Sequence, residues 1–422
     1  MVCAIVLLVA PASSWSQSSR PVLERFDLVG HIGFAGGVES ADVWAHGSYA
    51  YVGSSCGGER RGGAGVRVVD ISRPPRPRLV SRLANDVFTR AEDVVVRRVR
   101  TASFDGDLAV VGIQACLGSG HEREVRTGLR FFDVTRPAHP ALLGSWLLPP
   151  GTFGCHEVDL IQRRDGQVLA GCARQMSDQR DAGTGAQVPG GVQLVDATDP
   201  ARPETRAAWE LPVNPSGGVG CLPVQFAHSI RFVNGGLGAY VSYWDAGTVH
   251  LDLTNPAAPA VLGVTKLAPP DEDGDNHSLT LANRGRWLVI NQEDFSPTAC
   301  PDRQLGGWGN VWVYDTAGSL VGQFSTRNSR STRTDGNHTV HNTEVALERQ
   351  FFSSWYSDGI VWWTMTDRGA TRQLGHFVPP ATGLFGVPLV WGVYVDHVHH
   401  LILASDMGTG LWLVRPRGLR GL

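Results

Sequence analysis

The sequence predicts an all-β chain folded as a seven-bladed β-propeller, and three observations carry that prediction. No long stretch places apolar residues at helical spacing between proper caps. Short β-rich runs separated by Gly, Pro, Asn and Asp fill the chain instead. These runs recur as one four-stranded unit in seven copies, and the last copy lacks an outer strand that the N-terminus can supply.

In chain order, the first segment is "MVCAIVLLVAPASSWS", residues 1–16, whose apolar run is too short to span a bilayer and is followed by small residues. It reads as a secretory signal peptide cleaved after Ala12, although no basic residue precedes the apolar run; a buried N-terminal strand is the alternative. Next comes a strand-like run, "VLERFDLVG" from 22. The blades then open on "ADVWA" from 41, "EDVVV" from 92, "HEVDL" from 156, "HSIRF" from 228, "HSLTL" from 277, "HNTEV" from 341 and "WGVYV" from 391. Second strands include "YAYVG" from 49, "LAVVG" from 108, "GAYVS" from 238, "RWLVI" from 286 and "LILAS" from 401. Third and fourth strands flank proline-rich turns in "VRVVDISRPPRPRLVSRL" from 66, "LRFFDVTRPAHPALLGSW" from 129, "VQLVDATDPARPETRAAW" from 192 and "VHLDLTNPAAPAVLGV" from 249, with degenerate copies from 311 and 361. After "GLWLV" at 410 no fourth strand follows, so the run from 22 is expected to close the ring and cover an open sheet edge. Residues 21–422 are then one domain; two separate β-sandwiches are the competing architecture.

The unit beginning "VRVVDIS", with "AHSIRF" and "YAYVG" in the strands before it, resembles the LVIVD repeat of bacterial and archaeal exported propellers, strongly in blades one to four and weakly in five to seven. That resemblance implies a propeller at the cell surface or outside the cell. It leaves activity open, because most members of that family have no assigned reaction. Neither the WD40 signature nor the paired glycines of kelch repeats occur at blade spacing.

With 422 residues, 42% hydrophobic and 18% charged, the chain can bury a sizeable core. A net charge of −3, with 37 scattered Lys and Arg residues, leaves no electrostatic footprint for nucleic acid. No stretch approaches membrane-spanning length. The expectation is a secreted or cell-envelope monomer whose small-molecule or protein ligand the sequence does not name.

Antiparallel pairing puts the start of each first strand and the end of each second strand on one face. The long insertions, 54–65, 113–128, 172–190 and 292–309, join second to third strands there, which marks the ligand-binding face. Of seven cysteines, Cys3 lies in the leader, and an even set of six in an exported chain favours disulfides. Position suggests Cys56 with Cys116, Cys155 with Cys172, and Cys221 with Cys300, among many connectivities open to six cysteines.

His156, His228, His277 and His341 hold the same position in blades three to six, where the other blades carry Ala41, Glu92 and Trp391. Four imidazoles near one axis suit zinc, copper or iron, with Glu92, Asp93 and Glu157 placed to orient them as hydrogen-bond acceptors or to add ligands. The set is similar in outline to the axial histidines of carotenoid cleavage oxygenases and of copper enzymes related to selenium-binding proteins, an analogy of architecture only. Blade-to-blade hydrogen bonding would explain the same recurrence without a metal. In "DEDGDN", Asp271, Asp273 and Asp275 alternate around Gly274, a spacing that suits calcium, but Ala282 stands where an EF-hand needs Glu. "DHVHHL" from 396 falls in a turn on the far face, and no GxSxG elbow, P-loop or dinucleotide fingerprint appears. Three functions remain open: a ligand-binding propeller with an axial metal, a metal-dependent oxidoreductase or lyase acting in the channel, and an interaction scaffold without metal.

Overall fold

The computed structural model describes residues 20–57, 61–180, 187–212, 225–267, 274–295, 307–382, 384–419 and 421–422. Local chemistry builds each repeat. At the end of the third strand an Asp side chain accepts the N–H two residues on, as in Asp70 with Ser72, Asp133 with Thr135, Asp196 with Thr198, Asp252 with Thr254 and Asp315 with Ala317. These Asx turns reverse the chain into the fourth strand, which is why the acid recurs. Each sheet is antiparallel, and seven of them form the blades.

The innermost strands are Ser40–His46, Val94–Arg100, Val158–Gln162, Ser229–Val233, Asn276–Ala282, Thr343–Leu347 and Val390–Asp396. Each touches the next, and the last touches the first, so they encircle a central channel. Buried apolar residues pack between neighbouring sheets, for example Val43, Val52 and Val69 of blade 1 against Leu401, Leu403 and Leu411 of blade 7. The outermost strands are Arg78–Leu83, Ala141–Leu147, Glu204–Trp209, Ala260–Thr265, Leu320–Phe324, Thr371–Val378 and, for blade 7, Phe26–Ile32. The N-terminus therefore closes the ring as expected, with one correction. The run from 22 is not a single strand. Arg25 takes a left-handed backbone (φ 60°), so Val22–Glu24 pairs with Thr371–Val378 of blade 6 and Phe26–Ile32 with Gly410–Pro416 of blade 7.

Cys56–Cys116 and Cys155–Cys172 are disulfides, the first tying the insertions of blades 1 and 2 together. Cys221, Cys300, Asp271, Asp273 and residues 1–16 lie outside the described residues. Asp275 also has a left-handed backbone, and its N–H donates to Asp245 Oδ1 at 3.0 Å. The histidine-rich run from 396 is a turn: Asp396 accepts from the N–H groups of Val398 and His399 and lies 2.7 Å from the His399 ring. Among the described residues, no helix is long and apolar enough to cross a membrane.

Candidate metal centre

In several blades, the end of the second strand touches the segment that opens the next blade. Ser54 bridges Ala91, Gln114 bridges Gly154, Trp244 bridges Asn276 and Tyr356 bridges Val390. This pairing fixes the backbone on which the axial side chains stand. It also brings Gln114 to His156, while Glu293, just past the strand Trp287–Gln292, is held by its N–H on the Asp275 carbonyl and lies beside the rings of blades 5 and 6.

The four histidines do converge. All are buried, with 0–2% exposure, and their ring centroids lie 4.3 Å (His156–His228), 4.0 Å (His228–His277) and 4.1 Å (His277–His341) apart. They form an arc on one side of the axis, as expected when four consecutive blades of seven span roughly 150°. Carboxylates interleave with the rings. Glu92 Oε2 is 3.3 Å from His156 Nδ1, Glu157 Oε1 is 3.5 Å from His228 Nδ1 and 3.8 Å from His277 Nε2, and Glu293 is 3.6 Å from His277 Nε2 and 3.8 Å from His341 Nε2. Tyr356 donates its hydroxyl to Glu293. Aromatic rings pack around the arc: Phe226 and Trp244 against His228, and Tyr356 and Trp391 against His341.

Hydrogen bonding differs along the arc. His156 is satisfied, with Nδ1 3.1 Å from Gln114 Oε1 and Nε2 2.9 Å from His228 Nε2. His228 Nδ1, His341 Nδ1 and both nitrogens of His277 are buried without a hydrogen-bond partner. A buried polar atom left this way costs about 1–3 kcal/mol, so it signals a missing partner. The backbone of the equivalent residue in the next blade faces the rings of His228, His277 and His341 and favours their protonated forms, although no contact there has full hydrogen-bond geometry. The residue after the histidine makes one blade-to-blade bond instead: Ser278 Oγ donates to the His341 carbonyl at 2.9 Å.

Burial sets the charge state of the arc. Burial, and then repulsion from neighbouring imidazoles, push His228, His277 and His341 well below the usual range, leaving neutral rings able to donate lone pairs. Burial, reinforced for Glu157 by Asp93 and Asp42, drives Glu157 and Glu293 well above the usual carboxyl range. A nearby cation would reverse that cost. Burial opposes the Glu92 charge too, but Arg90 and His156 outweigh it and hold Glu92 at about 2.

Asp93, placed by the sequence beside the imidazoles, does not contact one. Its two oxygens accept the N–H groups of Val94 and Val158 at 2.7 Å each, stitching blade 2 to blade 3, and burial raises it to about 6. Asp159 repeats the stitch to Phe232 of blade 4. Below the arc, Asp42, Asp93, Glu157, Ser229, Arg231, Ser278, Asn342 and Glu344 line a channel cavity of about 40 Å³. Glu157 belongs to both arc and channel, and its side chain retains 16% exposure. Sequence reasoning missed Gln114, Glu293, Trp244 and Tyr356. The available signal was their position at the ends of second strands, on the face where the first strands begin.

The donor set fits a metal. Two groups, His156–Glu157–His228 and His228–His277–Glu293, each bring three ligand atoms within 4.8 Å of one another. Residues 37–84, covering blade 1, match the family model described as the LVIVD repeat. No curated protein matches the chain. Together, the closed ring of sheets and the repeat match show a seven-bladed β-propeller whose first blade matches the LVIVD repeat.

Proposed function

We propose that the chain is an exported propeller that binds a transition metal on its axis, with nitrogen donors drawn from His156, His228, His277 and His341 and oxygen donors from Glu157 and Glu293. His277 carries the reading. Its ring is fully buried, both nitrogens lack hydrogen bonds, and two carboxylates face its Nε2 at 3.6 and 3.8 Å. Tetrahedral ligands about 2.1 Å from an ion stand about 3.4 Å from each other, so small side-chain shifts would suffice. Zinc, copper or iron all suit nitrogen and carboxylate donors. Such an ion would supply oxidoreductase or lyase chemistry to a small molecule reaching it from the channel that Glu157 lines. Export is supported by the leader-like residues 1–16 and by two disulfides, which persist in oxidising compartments. Calcium at Asp271, Asp273 and Asp275 belongs to the same reading and rests on their spacing alone.

A second reading is a metal-free scaffold that binds a partner on the long-loop face. It is favoured by His156, whose ring is satisfied within the protein. Elemental analysis separates the two. Protein purified from an oxidising compartment and incubated with zinc, copper and iron should retain metal, and replacing His228 and His277 together by Ala should abolish it while circular dichroism stays unchanged. Retention below about 0.2 equivalents would leave the scaffold reading standing.

A further inference from the structure

We infer that the axial arc holds two metal ions, side by side around His228, rather than one. The inference rests on the metal reading above and deepens it. The two donor groups share only His228. No group of three among the described residues joins His156 to His277 or to His341. Ring contacts likewise run only from neighbour to neighbour along the arc, in steps of 4.0 to 4.3 Å. An ion with bonds of about 2.0–2.2 Å can reach one group but not both ends of the arc.

The atoms divide accordingly. His228 Nε2 faces His156 Nε2 at 2.9 Å, while its Nδ1 faces Glu157 at 3.5 Å. Glu157 Oε1 stands between that nitrogen and His277 Nε2, 3.8 Å away, in position to bridge two ions. On the far side, Glu293 turns one oxygen to His277 and the other to His341. Each donor group also carries a carboxylate of its own, Glu157 in the first and Glu293 in the second, while Glu92 is paired with Arg90. Cys155 and Cys172 are joined to each other, so among the described residues the donors are nitrogen and oxygen. That chemistry selects first-row divalent ions such as manganese, iron, zinc or copper over thiophilic ones, and paired ions of this kind sit about 3.5–4 Å apart.

The test counts ions on the full-length mature protein. Titration with Cu(II), followed by desalting and elemental analysis, should give about two equivalents, and the electron paramagnetic resonance spectrum should show a coupled pair. His156→Ala and Glu293→Gln should each retain about one equivalent with an uncoupled spectrum. Saturation of the wild type at one equivalent overturns the two-ion inference and leaves the single-ion function intact. No retained metal overturns both. Two equivalents that neither variant reduces, or that never show coupling, place the second ion elsewhere and overturn the inference. If a variant does not fold, the wild-type count and spectrum decide alone.

Discussion

A buried side chain reports its chemistry through what it leaves unsatisfied, and the histidines of this protein divide on that criterion. His156 and His338 are satisfied, whereas His277 is not. His338 sits 2.8 Å from Asp358 and 3.2 Å from Asp335, while Thr326 and Asn328 complete the Asp358 carboxylate. Burial lowers the His338 pKa, but the two carboxylates more than offset it and raise it above the ordinary 6.5. The sign follows from linkage: the folded state holds the proton more tightly than the unfolded chain. The ion pair therefore stabilises fully below 6.5, and that stability is lost as pH rises through the folded-state value. Denaturation of His338→Gln against the wild type should show a deficit of about 1–3 kcal/mol near pH 5.5 that shrinks by pH 8.5. A deficit equal at both ends would assign the role of His338 to packing instead.

Among the elements, the outer strands carry a recurring device. In all seven blades the register between third and fourth strands shifts at the same place, a β-bulge that increases local twist. The small residue after the bulge lies under the next blade's turn. A Cβ on Gly144 would stand 2.4 Å from the Pro200 carbonyl, one on Gly30 2.0 Å from that of Pro74, and one on Gly322 2.8 Å from that of Gly369. In blade 1, Ser81 fills the position and donates to the Pro137 carbonyl. Blade 4 is different: a Cβ on Gly263 would meet nothing within 4 Å, and the facing turn of blade 5 lacks proline. Gly144→Ala should therefore cost about 1–3 kcal/mol, while Gly263→Ala stays within about 0.5 kcal/mol of the wild type in the same denaturation assay. Equal effects would show that the turns yield freely. The recurring small residue is visible in "ALLGSW", "AVLGV" and "RQLGHF", but the contact that demands it comes from another blade.

For the whole molecule, closure depends on residues 22–32, which belong to two blades at once. Phe26 is the anchor, 1% exposed and packed edge-on against Phe352 and Trp362 of blade 6. Phe26→Ala should cost about 3–5 kcal/mol, the usual range for a buried Phe. Removing residues 20–32 should do more, because it strips the outer strand from blade 7 and the fifth from blade 6, leaving two unpaired edges. Calorimetry of the truncated chain should show loss of the single cooperative transition, and size-exclusion chromatography should show association. A truncated monomer melting like the wild type would mean that closure needs only blade-to-blade packing.

The sequence alone determined the blade count, the closing N-terminal run and the equivalence of the four histidines. All of these follow from local chemistry repeated at a fixed interval: alternating apolar residues, Asx turns after an acid, and one position recurring in each copy. The tertiary structure decided which neighbours those histidines acquire. Gln114, Glu293 and Tyr356 come from the ends of second strands and reach rings of adjoining blades, so their meeting depends on the curvature of the closed ring. Ring closure also put Asp93 on backbone N–H groups rather than on an imidazole, and split the N-terminal run at Arg25 between two blades. No local periodicity encodes those distances, because they accumulate over seven sheets packed in sequence.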